Sequence, residues 1–153
     1  NSLNASTDTL PYKATYSSRY EPGPPENAAT ILKVWKAFDD GKPADSRSLF
    51  ADSVRFYLRD ASSLSGKTDS ILAMIQQWRS GFKFVRSTPH AWVSLRSTDK
   101  QENWVYIWGT EVSEDNAGKR DSLAIQESWR LDEAGKIDLM YQYGRNLPLP
   151  APK

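Results

Sequence analysis

Residues 122–143 read SLAIQESWRLDEAGKIDLMYQY, two alternating stretches joined by the turn residues Asp132-Glu133-Ala134-Gly135. A period of two on either side of a Gly-containing turn specifies an antiparallel hairpin. Leu123, Ile125, Glu127, Trp129 and Leu131 fall on one face of it, so the more apolar stripe carries a carboxylate. A carboxylate in such a place is costly unless partnered, and burial raises its proton affinity. The hairpin therefore points to a curved sheet wrapped round a small core. Pairing across the turn is expected to set Glu127 near Tyr141 and Arg130 opposite Asp138.

The rest of the chain supplies the other layer. Pro24-Pro25-Glu26 opens a helix in which Ile31, Trp35 and Phe38 recur at helical spacing, and Gly41 closes it. Asp45 starts a short second helix after Pro43. Residues 54–58 alternate as a strand, and residues 60–66 read as a Ser-rich loop. Thr68 and Asp69 begin a third helix with Ile71, Ile75 and Trp78 on one face, stopped by Gly81. Four strands follow, near residues 92–95, 104–112, 123–131 and 137–143. This order specifies an α+β fold with about three helices on one face of an antiparallel sheet. Trp104, Tyr106 and Trp108 alternate with Val105 and Ile107, so both sheet faces are apolar there. Helices cover one face, and a second copy is the simplest cover for the other, giving a homodimer.

Composition removes several functions. The formal net charge is +1, from 20 basic against 19 acidic side chains, and the basic residues form no run. A nucleic-acid partner has no electrostatic footprint here. No apolar stretch reaches membrane-spanning length. The absence of Cys excludes thiolate chemistry and Cys-based zinc sites, and one His, His90, is a poor basis for a metal centre. Ser65-Gly66-Lys67-Thr68 looks like the end of a phosphate-binding loop, but Ala61 stands where that motif requires Gly. Residues 1–25 are rich in Ser, Thr, Asn and Pro and resemble the spacer after a cleaved export signal, so the cell envelope or secretion is expected. Tyr12, Tyr16 and Tyr20 are the anchors expected to dock this segment. Residues 26–147 form the domain, and residues 148–153 a tail.

The element order resembles the nuclear transport factor 2-like (NTF2-like) superfamily, which includes ketosteroid isomerases and SnoaL-type polyketide cyclases. The resemblance is carried by Leu49-Phe50-Ala51-Asp52, by Gly66, and by residues 129–137, WRLDEAGKI. It implies a cone-shaped curved sheet with the helices on its concave face. In the ketosteroid isomerases a carboxylate abstracts a proton beside a ketone, and a phenol and a protonated acid hydrogen-bond the oxyanion. Glu127 matches the oxyanion acid. The base position falls on Leu58, with Asp60 two residues on, and the phenol position falls on Val34. In the epoxide-hydrolysing members the last strand carries an acid, matched here by Gln142, an amide, with Asp138 two pairs away on the same face. This pattern argues against steroid isomerisation.

The expected function is that of an exported pocket protein holding a small, largely apolar ligand. An acid–base enzyme without a cofactor or metal is the alternative, with Glu127 and Asp60 as its catalytic pair. A protein-interaction module using the sheet face or the N-terminal segment is a third. Trp78, Tyr106, Trp108, Trp129, Met140 and Gln142 are the expected ligand contacts. Glu127 has a structural alternative, an ion pair with Arg, and Asp60 has one in an ordinary turn.

Overall fold

The computed structural model describes residues 10–151. Strand β1 (Tyr20–Pro22) precedes helix α1 (Pro25–Asp39) and a 3-10 helix (Pro43–Leu49). Strands β2 (Phe50–Tyr57) and β3 (Ser63–Lys67) lead into helix α2 (Thr68–Arg79), then β4 (Phe82–Ser97), β5 (Glu102–Asp115), β6 (Arg120–Leu131) and β7 (Ile137–Asn146). The seven strands form one curved sheet in the order β1-β4-β5-β6-β7-β2-β3. This is the α+β architecture expected, with two additions. β1 pairs with β4, and the expected Ser-rich loop contributes β3, antiparallel to β2. All pairings are antiparallel except that of β2 with β7, which is parallel.

Periodicity explains which face is which. Val105, Ile107, Trp129, Leu131 and Met140 point inward and join Ile31, Ile71 and Phe56 in one core. Ile31, Ile107, Leu131 and Ile137 are wholly buried, each worth roughly 1.5–3 kcal/mol of transfer free energy. The ends of α1 and α2 are locked together by the buried Arg79. Its guanidinium donates to the carbonyls of Phe38 (2.7 Å), Asp39 (2.9 Å) and Phe82 (3.2 Å), satisfying groups that a helix end leaves open. Asp39 in turn accepts from the backbone N–H and hydroxyl of Ser87 on β4, both at 2.8 Å.

Two of the sheet's register shifts bear on the site. In β4, Pro89 pairs with Gly109 and Ala91 with Trp108, leaving His90 as an extra residue. Pro cannot donate to a ladder, so the pairing bends here. In β7, Ile137 pairs with Leu131 but Leu139 with Arg130, leaving Asp138 extra. A shift of one residue exchanges faces. Glu127 consequently stands opposite Gln142, not near Tyr141, and Asp138 lies on the outer face, away from Gln142. The expected Arg130–Asp138 pair does form, at 2.9 Å.

Residues 16–22 dock on the domain itself, while residues 1–9 lie outside the described residues. Tyr16 meets Trp104 edge-on and donates to Glu102 at 2.5 Å, and Tyr20 meets Tyr106 in the same manner. Tyr12 is exposed and anchors nothing. Part of the outer sheet face is thus covered by the chain's own tail, while Trp92, Trp108 and Tyr143 remain exposed.

The β4 bend generates a prediction. A Cβ on Gly109 would lie 2.3 Å from the Thr88 carbonyl oxygen and 3.0 Å from Pro89 Cα, both fixed backbone atoms. Gly109→Ala is expected to destabilise by about 1–3 kcal/mol in urea denaturation. A midpoint unchanged from wild type would contradict the close approach.

Candidate functional site

Between the helices and the inner sheet face lies a cavity of about 490 Å³. Trp35 and Phe38 of α1, Ile75 and Trp78 of α2, Leu58 and Leu64 beside β2 and β3, and Trp129 and Met140 of the sheet supply its mainly apolar walls. The polar groups are few: Glu111, Glu127, Gln142, Ser46 and Ser87 inside, with Arg59 and Asp60 following β2. That is the size and lining of a small-molecule site.

Glu127 sits where the alternation placed it, 6% exposed. Its Oε1 accepts from Trp35 Nε1 at 2.7 Å and Trp129 Nε1 at 3.2 Å, and its Oε2 from Gln142 Nε2 at 2.9 Å. The Arg partner considered from sequence is not found, and among the described residues no cation pairs with it. Burial pushes its pKa up, while the three hydrogen bonds pull the other way without restoring it. The site therefore holds an acid whose ionised form is supported only by neutral donors.

Glu111 is the group that sequence reasoning missed. It lies on β5, opposite Leu123 and Ser87, and lines the same cavity. Burial, then the charges of Glu127 and Asp39, push its pKa from an ordinary 4.5 up to about 7, with Arg59 opposing. Among the described residues it makes no hydrogen bond or ion pair. The signal was present in the sequence: Val105, Ile107, Gly109 and Glu111 share one parity, so the inward stripe of β5 ends in an acid.

The remaining expected residues divide. Trp78, Trp129, Met140 and Gln142 line the cavity, as does Asp60. Asp60, however, is exposed and accepts from the Ser62 backbone N–H at 2.9 Å, the ordinary turn considered from sequence. Its hydrogen bonds with Ser62 hold its pKa below the usual carboxylate range, which weakens it as a base. Tyr106 and Trp108 are not cavity residues. They alternate with Val105 and Ile107 and so face outward, Tyr106 into an open groove of about 950 Å³ shared with Tyr16, Trp104, Arg130 and Tyr141.

Solved structures share this fold. A SnoaL-like polyketide cyclase candidate from Shewanella denitrificans superposes with a TM-score of 0.65 at 11% identity, covering 80% of this chain and 92% of that one. The fold is NTF2-like. An NTF2-like protein of unknown function from Exiguobacterium superposes at 0.62 with 15% identity, over 76% of this chain and 98% of its own. The epoxide hydrolase/cyclase-like enzyme SalBIII, of pyran ring formation in the polyether salinomycin, matches at 0.59 and 12%, over 78% and 91%. No family model matches the sequence, and no curated protein does. The cone expected from the resemblance is present in this NTF2-like domain, and no helix of the described residues is long and apolar enough to cross a membrane.

The raised pKa of Glu111 makes stability depend on pH in a defined direction. The folded state holds the proton more tightly than the unfolded state, so stability is full below about pH 4.5 and falls as pH rises to about 7. The loss is on the order of 2–3 kcal/mol at about 1.4 kcal/mol per pK unit. Urea titrations across this range are expected to show that slope in wild type and a shallower one in Glu111→Gln. Parallel curves would mean that Glu111 titrates normally.

Proposed function

We propose that this NTF2-like domain binds a small, largely apolar molecule in the cavity, with the molecule's polar end directed at Glu111 and Glu127. The observation that carries this reading is a mainly apolar hollow of about 490 Å³ with few polar groups inside, among them Ser87, Glu111, Glu127 and Gln142 on the sheet. An empty apolar cavity forfeits dispersion contacts, so a ligand matching its shape gains them on entry. The polar wall then selects orientation, since a buried carboxylate rejects a purely apolar end.

Nile red, a neutral dye, tests the proposal. Saturable one-to-one binding with enhanced dye fluorescence is the expected result. Leu64→Trp, which fills the cavity from β3, is expected to weaken binding at least about ten-fold, roughly 1.4 kcal/mol. No saturable binding, or equal binding by the variant, would show that the cavity does not receive ligands.

Glu111 favours a second reading, proton transfer without a cofactor. A group with a pKa of about 7 is half ionised at neutral pH, suited to taking a proton and returning it. In the simplest such step Glu111 takes a proton from carbon beside a carbonyl, the electron pair moves to the carbonyl oxygen, and protonated Glu127 hydrogen-bonds that oxygen. Deuterium incorporation into phenylacetone in D₂O, followed by NMR, is expected to be accelerated by wild type and not by Glu111→Gln. Rates equal to buffer alone would remove the catalytic reading and leave the binding one.

A further inference from the structure

Acids outnumber cations around the cavity, and part of its wall is aromatic. Glu111 is faced by Glu127 and Asp121 of β6, by Asp39 at the end of α1, and by the single guanidinium of Arg59; Asp60 stands beside Arg59. Strand β4 contributes Ser87, which carries no charge, and α2 contributes only Leu72, Met74, Ile75 and Trp78. Asp39 is committed to Ser87, and Glu127 to its three neutral donors. Glu111 is committed to nothing among the described residues, although it is half-buried and opens on the cavity. The rings of Trp35, Phe38 and Trp78 line the same hollow, with Phe38 and Trp78 stacked at 5.8 Å between centroids.

An unpaired carboxylate in a low-dielectric hollow is satisfied by a cation, and aromatic faces attract one through their quadrupoles. A carboxylate-bearing ligand meets like charge instead, and a neutral one offers at most a hydrogen bond without charge compensation. From the cavity, its aromatic walls and its one unpaired carboxylate, we infer that the ligand is an apolar molecule bearing a basic nitrogen, with its ammonium group seated against Glu111. This rests on the pocket reading above and adds the ligand's chemical class. The body of the ligand occupies the space between α2 and Met140. The nitrogen replaces the proton that Glu111 otherwise holds near neutral pH, so binding releases protons in that range.

Three probes with one apolar body separate the possibilities: phenylbutylamine, phenylbutanol and phenylbutyrate, each titrated by calorimetry at pH 8. The amine is expected to bind about ten-fold or more tighter than the alcohol, an ion-pair advantage of roughly 1.4 kcal/mol, with the acid weakest. Glu111→Gln is expected to cut the amine's advantage over the alcohol to less than about two-fold. A second measurement needs no variant. At pH 7, amine titrations in two buffers of different ionisation enthalpy are expected to report release of a substantial fraction of a proton. If the alcohol or the acid binds as tightly as the amine, or no proton is released, the basic-nitrogen assignment is wrong while the pocket reading stands. If none of the three binds and Nile red also fails, the pocket reading itself falls, and this inference with it.

Discussion

One carboxylate ties the two layers of this domain together. Glu127 on β6 takes an indole N–H from α1, a second from its own strand and an amide N–H from β7. Hydrogen bonds to an ionised group are worth roughly 1.5–3 kcal/mol each, against a desolvation cost of several kcal/mol for the ion. The opposing quantities are of similar size, so the arrangement is a poor source of net stability. What it does is tie Trp35 to the sheet and place a polar group on the sheet side of a mainly apolar hollow.

The shape of the hollow follows from the sheet. Strands β4 to β7 shorten in sequence, from 16 to 14, 12 and 10 residues, and the bulges at His90 and Asp138 bend and offset them. Helices α1 and α2 bury Ile31 and Ile71 in the core, while Ile75, packed against that core, and the exposed Trp78 line the cavity. Arg79 and Asp39 hold the C-terminal ends of the two helices together and against β4, beside the cavity.

The hairpin at residues 122–143 was legible because period-two alternation reports directly which side chains share a face. The same rule placed Glu127 inside and Tyr106 opposite Ile107, and applied consistently it excludes Tyr106 and Trp108 from the cavity that contains Trp129. The bulge at Asp138 was not legible, since an extra residue in a strand leaves the local pattern of apolar residues almost unchanged while moving Gln142 into the place expected for Tyr141. Strand β3 was hidden for a different reason: Ser63, Ser65 and Gly66 have turn chemistry, and only their pairing with β2 makes them a strand. Glu111 was overlooked because its acidity arises from three other segments, α1, β6 and the loop after β2, that meet it only in the folded chain. A cavity is likewise a property of how layers diverge, and no window of sequence contains it.

Carboxyl-carbon NMR titration of protein carrying labelled glutamate side chains tests the central claim most directly: that a largely apolar cone holds two acids, neither of them in an ion pair among the described residues. Glu111 is expected to titrate with a midpoint near 7 and Glu127 above its ordinary value, both resonances assigned through their Gln variants. Midpoints near 4.5 for both would show that water or a cation reaches these carboxylates, and the electrostatic account of the site would be wrong.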